Sequence, residues 1–252
     1  MMKPINQKEI DDALVHCKSK AACADGYSPK FIKDVSFVIS KLLPSAYNVM
    51  LKYGRFPKYM LKCHIIFLYK EGRVDLPENY RTIAINNPWS KILWKIIQTR
   101  LVKYAEERNL LPALQFGFRS KRSTLSAIFT LKKIILDNFK LKKKTYACFI
   151  DLKKAFPSVS RKLLFKRLYD LGLSIELLKL LNYYYNNLKT YIKDGEKISD
   201  GYFYSRIGLP EGHVLSPILF ALYVGDLELE QLEDEIWIVR KDGSKIWIPF
   251  IF

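Results

Sequence analysis

Apolar residues recur along this chain at two spacings, and these divide it into helices and strands. Ile10, Ala13, Leu14 and Cys17 fall on one helical face, behind an Asn6/Glu9 pair at capping-box spacing. Residues 20–27 read as a loop, and Ser28-Pro29 as a cap followed by proline in the first helical turn. Phe31, Ile32, Val35, Val38, Ile39 and Leu42 then repeat at helical spacing, and a further helix over 46–52 ends at Gly54. The run 64–69 predicts a strand, 71–79 a polar turn and 81–85 a second short strand. Helices follow over 91–108, with Ile92, Ile96, Leu101 and Tyr104 inward, and over 124–139. Residues 146–152 are too uniformly apolar for a surface strand, so a buried one is expected. Helices over 160–171 and 174–187 part at Gly172, and strands over 190–193 and 202–207 flank Asp194-Gly195. A helix covers 216–230, and 236–239 with 245–251 form a hairpin around Asp242-Gly243. There is no internal repeat, and helices and strands mix without strict alternation, which predicts an α+β fold.

Composition narrows the class. At 49% hydrophobic and 14% aromatic, 252 residues build a real core, which excludes a disordered chain. The formal charge is +17, from 42 basic and 25 acidic residues. A globular chain this basic usually meets a polyanion, nucleic acid being the commonest, although a merely Lys-rich surface gives the same number. Cys17, Cys23, Cys63 and Cys148 lie far apart with no CxxC, so they read as reduced thiols of an intracellular protein. Cys63-His64 lacks a partner pair for zinc. The N-terminus shows no signal peptide, and no apolar run approaches the roughly 20 residues of a membrane span.

The chemistry concentrates in a few segments. Phe149-Ile150-Asp151-Leu152-Lys153-Lys154-Ala155-Phe156 sets a carboxylate at the end of an apolar run. Burying such a group is costly unless it meets a cation, and Mg²⁺ takes one or two carboxylates plus substrate phosphates. Taken alone, Asp151 reads more simply as a turn cap or a partner of Lys153 or Lys154. About sixty residues on, Gly208-Leu209-Pro210-Glu211-Gly212-His213-Val214-Leu215-Ser216-Pro217 combines glycines that permit close backbone approach with a helix start. Asp194, Asp200, Asp226 and Asp242 sit in turns or at helix ends, where solvated caps are commoner than ligands. His16, His64 and His213 lack a matching Ser or Cys for a triad. Tyr183-Tyr184-Tyr185 has the chemistry to stack bases, but core packing is the commoner fate of such a run on a helix.

The two long segments resemble motifs A and B of reverse transcriptases, most closely those of non-LTR (LINE-like) retrotransposons. Ile66-Phe67-Leu68-Tyr69-Lys70-Glu71-Gly72 with Asn79-Tyr80-Arg81-Thr82-Ile83 is similar to their fingers segment. Gln115-Phe116-Gly117-Phe118-Arg119 with Arg122-Ser123-Thr124 is similar to another fingers motif. The resemblance covers almost the whole chain, most specifically residues 62–225. It implies a right-hand polymerase fold with a helical lead-in over 1–60, fingers over 61–144 and an incomplete, ferredoxin-like palm over 145–252, the thumb being absent. It implies an RNA-directed DNA polymerase that adds dNTPs to a primer by two-metal phosphoryl transfer. Asp151 would be the catalytic carboxylate and, with the backbone of Leu152, the metal ligand, for two Mg²⁺ ions with Mn²⁺ as the alternative. Lys70, Arg81, Phe156, Pro210, Glu211 and Gly212 would bind nucleotide, and Gly117, Phe118 and Arg119 would lie against the template. Arg81 suits a triphosphate because its fork is bidentate. Phe156 would exclude a 2′-hydroxyl, though an ordinary core aromatic is its simpler reading.

Two positions depart from the family pattern. Pro157 stands where related elements carry Asp, and Glu211 where they carry Gln. Proline removes an N–H and fixes φ, and a Glu beside a triphosphate adds repulsion unless a cation neutralises it. The implied partners are an RNA template, a DNA primer and dNTPs, without a membrane, in a ribonucleoprotein of the nucleus or cytoplasm. The family's aromatic-Ala-Asp-Asp segment would follow Phe252, so the chain by itself is expected not to polymerise. Two other readings stand beside this one: a catalytically dead nucleic-acid-binding remnant, and a group II intron-type maturase. The Asn79-Tyr80-Arg81 and Arg122-Ser123-Thr124 segments favour the LINE-like reading over the maturase.

Overall fold

A computed structural model describes residues 3–16, 23, 26–112, 115–147, 149 and 151–225, and the backbone of 238–239 and 245–246. Its contacts group into two units, 1–104 with 154–220 and 105–153 with 221–252.

The first unit begins with α1 (Gln7–Leu14). The Asn6 side chain accepts from the Glu9 N–H at 3.0 Å, and the Asn6 N–H donates back to Glu9 Oε2 at 3.2 Å, the capping box read from the sequence. Ile10, Ala13 and Leu14 are buried, and Cys17 lies outside the described residues. Arg100 ties α1 to the helix α5 (Pro88–Glu107) by two 2.7 Å bonds to the Glu9 carboxylate. Ser28 caps α2 (Pro29–Asp34) as expected.

The helix predicted through Leu42 is broken. α2 stops at Val35, α3 (Ser36–Ile39) adds one turn, and α4 (Leu43–Tyr53) starts afresh. Pro44 explains the restart, because its ring collides with the carbonyl four residues back and it has no N–H to donate. The break leaves Phe37, Val38 and Leu42 facing solvent. Gly54 ends α4 in the left-handed region at φ 63°, as the sequence predicts.

The sheet of this unit runs β2–β1–β3–β4, with β5 also on β3. β1 (Lys62–Tyr69) and β2 (Tyr80–Asn86) form an antiparallel hairpin, with Leu68 opposite Arg81 and Tyr69 opposite Tyr80. β3 (Lys189–Asp194) joins β1 in parallel, Lys62 opposite Lys189. The chain then folds back along β3 as β4 (Lys197–Ile198) and β5 (Phe203–Tyr204), with Ser199 bridging the interruption through Ile192. Thus β3, from the segment expected in the palm, pairs with β1, from the segment expected in the fingers. α7 (Arg161–Asp170) and α8 (Ile175–Asn187), started by Ser160 and Ser174, pack on each other, and α8 packs on α4. Tyr184 reaches across to Asn86 of β2 at 3.2 Å.

The second unit holds α6 (Thr124–Lys140), capped by Ser123, whose one buried side chain is Ala127. Of the buried strand expected over 146–152, the described residues form no part, and residues 148 and 150 lie outside the description. Tyr146, Ala147, Phe149, Asp151 and Leu152 have no ladder partner among the described residues, and Phe149 is 80% exposed. An apolar run becomes a strand only where a neighbour supplies hydrogen bonds, and none of the described strands does. α9 (Ser216–Val224) starts where predicted and gives way to a turn at Gly225, residues 226–230 of its predicted span lying outside the described residues. The expected hairpin is present as β6 (Ile238–Val239) and β7 (Lys245–Ile246), Ile238 opposite Ile246.

Candidate active site

The loop 208–216 is held from three sides within the first unit. On one side it follows the free edge of β2, where the Ala84 N–H donates to the Glu211 carbonyl at 2.7 Å. A Cβ on Gly212, whose φ is 90°, would lie 3.1 Å from the Ala84 oxygen and 3.3 Å from Ile83 Cγ2. On a second side it meets the turn over residues 153–158. The Leu209 N–H donates to Phe156 at 2.8 Å and the Gly208 N–H to Val159 at 2.9 Å. A Cβ on Gly208, at φ 77°, would fall on the Pro157 carbonyl oxygen, so only glycine fits there. Pro157 does not disturb this turn, since the Ser158 N–H still reaches Lys154 at 2.9 Å.

Arg161 and His213 hold the loop from inside. Arg161 is 7% exposed, yet its guanidinium donates to the carbonyls of Gly208 (2.8 Å), Tyr185 (3.1 Å), Ser205 (2.6 Å) and Ile207 (3.3 Å). It also lies 5.1 Å over the Tyr185 ring. His213 is buried among Trp94, Tyr184 and Tyr185, with ring centroids 5.5–5.7 Å away. Its Nδ1 accepts from the Leu215 N–H at 3.2 Å, which fixes the proton of the neutral ring on Nε2. Burial, and secondarily the charge of Lys91, push its pKa down to about 3. The Ser216 hydroxyl closes the loop on the Pro210 carbonyl at 2.7 Å. Tyr184 and Tyr185 are thus core residues, as the commoner reading of the tyrosine run had it.

Neither Arg161 nor His213 stood out in the sequence as a holder of this loop. One signal existed for Arg161: a cation in the first turn of a helix opposes the macrodipole, and something else must hold it there.

The other expected site residues divide between the units. Lys70, Arg81, Phe156, Pro210, Glu211 and Gly212 belong to the first. Lys70 and Arg81 are exposed at the same end of the β1–β2 hairpin, where the Lys70 N–H bonds the Asn79 carbonyl at 2.9 Å. Phe156 is half-buried with its ring 5.1 Å from that of Phe220. Gly117, Phe118, Arg119, Asp151 and Leu152 belong to the second unit. Phe118 takes a left-handed conformation, φ 57°, and is exposed. Arg119 is turned inward: it pairs bidentately with Glu106 at 3.0 and 2.6 Å and bonds the Pro112 carbonyl at 2.6 Å. That guanidinium holds the Glu106 carboxyl below its usual range. Asp151 and Leu152 are exposed. Among the described residues no three His, Cys, Asp or Glu side chains could hold a metal together.

Comparisons with known proteins identify the family. The family described as "Reverse transcriptase (RNA-dependent DNA polymerase)" matches residues 68–241. The chain is 32% identical over 235 residues to a "Probable RNA-directed DNA polymerase from transposon BS" of Drosophila melanogaster, covering 90% of this chain and 25% of that protein. It is 26% identical over 230 residues to the "RNA-directed DNA polymerase from mobile element jockey" of Drosophila funebris, covering 89% and 24%. Over 222 residues it is 24% identical to a "Retrovirus-related Pol polyprotein from type-1 retrotransposable element R2" of Nasonia vitripennis, covering 87% and 20%. The chain spans about a quarter of the length of the curated relatives it matches. With that family matched over more than half of its length, the chain belongs to the reverse transcriptase family.

Proposed function

We propose that this chain binds and selects deoxynucleotides for RNA-directed DNA synthesis, as part of a retrotransposon polymerase. One observation carries the reading: the motif B loop is hydrogen-bonded both to β2, which bears Arg81, and to the turn bearing Phe156. Phosphate-gripping cations and the sugar-facing aromatic are thereby tied to one loop. In the reaction a primer 3′-hydroxyl attacks the α-phosphate of a dNTP paired with an RNA template, and pyrophosphate leaves. Lys70 and Arg81 bind the triphosphate, Arg81 through its fork. Phe156 lies under the sugar and leaves no room for a 2′-hydroxyl. Gly212 lets the backbone come close to the base pair. Mg²⁺, bound through Asp151, the backbone near Leu152 and the substrate's phosphates, would neutralise charge on the transferring group. Phe118 is exposed and Gly117 half-buried beside it for template contact, whereas Arg119 positions their bend through Glu106.

The test is nucleotide binding, followed by RNA-templated primer extension. Lys70→Ala and Arg81→Ala should each weaken dNTP binding about tenfold. Phe156→Ala should bring ribonucleotide binding up to that of deoxynucleotides. Asp151→Asn should abolish any extension. Nucleotide binding that is indifferent to Lys70, Arg81 and Phe156 would sink the reading.

A further inference from the structure

One face of the sheet carries a constellation that nucleotide selection does not use. On β3, Lys189 and Tyr191 alternate with Lys193, and on the returning chain Tyr204 stands opposite Lys189. Register places Lys62 of β1 on the same face, opposite Lys189, and His64 opposite Tyr191. The rings form a continuous series: His64 to Tyr191 at 6.1 Å, Tyr191 to Tyr202 at 5.7 Å, and Tyr202 to Tyr204 at 5.4 Å, the last pair nearly perpendicular. Lys189 Nζ stands 4.2 Å over the Tyr202 ring. Tyr202 and Tyr204 are each 45% exposed, and Lys62 is exposed beside them. None of the strand positions on this face carries a carboxylate; Asp194 alternates to the other side.

Such a surface is polar at every ring's tip and basic between the rings, with Ile198 its exposed aliphatic neighbour opposite Lys193. Ring faces set among lysines match one ligand chemistry, unpaired bases on a phosphate backbone, since every base has a π-face and every link a negative charge. We propose that the Tyr191–Tyr202–Tyr204 face, with Lys62, Lys189 and Lys193, is a stacking platform for single-stranded nucleic acid. Tyr202 and Tyr204 stack successive bases, and the lysines follow the phosphates. This rests on the reading that the chain works on nucleic acid, but it does not use Lys70, Arg81, Phe156 or Asp151. The Lys189 ammonium also draws the Tyr202 phenol below its usual pKa, as a cation held against that hydroxyl must.

The experiment measures anisotropy of labelled ten-nucleotide single strands, one RNA and one DNA, and an RNA duplex, against the intact chain. Tyr202→Ala and Tyr204→Ala should each weaken single-strand binding about tenfold, and leave duplex binding unchanged, because stacking needs unpaired bases. Tyr202→Phe and Tyr204→Phe should bind like the parent, since the ring and not the hydroxyl stacks. Lys189→Ala should reduce the slope of log K against log salt by about 0.7. The RNA and DNA arms tell which strand the platform prefers, and a loss in either supports it. A Tyr202→Ala/Tyr204→Ala protein that melts like the parent and binds both strands as tightly would overturn the proposal. Should the alanine proteins unfold, photocrosslinking of a thiouridine-bearing strand to the parent decides: attachment in residues 189–204 supports the platform, and attachment confined elsewhere refutes it. Loss of nucleotide binding in Lys70→Ala with single-strand binding intact separates this proposal from the polymerase reading.

Discussion

Arg161 brings a full charge into the interior and meets carbonyl oxygens there, including two within 2.8 Å. Arg161→Lys keeps the charge but loses the planar fork that spans four acceptors, so even this substitution should lower unfolding free energy by about 3 kcal/mol in urea titrations. Glu211 is the reverse case. Its carbonyl anchors the loop to β2, and its carboxylate has no part in that bond. Glu211→Gln should therefore leave the melting temperature unchanged while tightening dNTP binding, by removing a negative charge from beside the triphosphate. His213 carries a pH dependence. Its folded pKa of about 3 lies below the unfolded value of about 6.5. As pH falls the unfolded chain takes up the proton first, so this contribution is whole above about pH 6.5 and drains away toward pH 3. Melts between pH 7 and pH 4 should show the loss, and His213→Gln should flatten it. What the sequence made legible at this scale was local: Asn6 with Glu9 and Ser28 cap helices through bonds spanning three residues. Arg161 was not legible, because its acceptors lie 24 to 47 residues away.

Among elements, the loop 208–216 depends on backbone shape more than on side chains. Gly208→Ala meets both a positive φ and the Pro157 carbonyl, so it should cost about 3 kcal/mol. Gly195, at φ 57° in the β3–β4 turn, has nothing within 4 Å of its would-be Cβ. Gly195→Ala should cost only about 1 kcal/mol, the strain of the left-handed conformation. Comparing the two in denaturant titrations isolates the steric part. Most helices and the β1–β2 hairpin could be read from periodicity, since their hydrogen bonds are satisfied within the segment. The run 146–152 could not: strand formation is decided by a neighbour, and periodicity carries no information about who that neighbour is. The break between α2 and α4 was legible in principle, at Pro44, but the apolar repeat across 31–42 masked it.

For the whole molecule, the charge of +17 makes binding to any nucleic acid weaken steeply with salt. Raising salt should reduce duplex and single-strand affinity together, whereas only single-strand affinity should answer to Tyr202 and Tyr204. The family could be read from two motifs, and the comparisons bear it out. The motifs could not reveal that motif B is tethered to β2, because that contact joins segments more than a hundred residues apart. The same long reach governs how the sheet is made. β1 has β2 on one edge at once, but its other partner, beginning at Lys189, leaves the ribosome on the order of a hundred residues later, about 5 to 20 s at ordinary synthesis rates. Throughout that interval the nascent hairpin presents a bare ladder of N–H and C=O groups, the form in which two chains on neighbouring ribosomes would join strand to strand. Yield of native protein should therefore depend on chaperone supply and on how densely its messenger is translated, even where the finished sheet is stable.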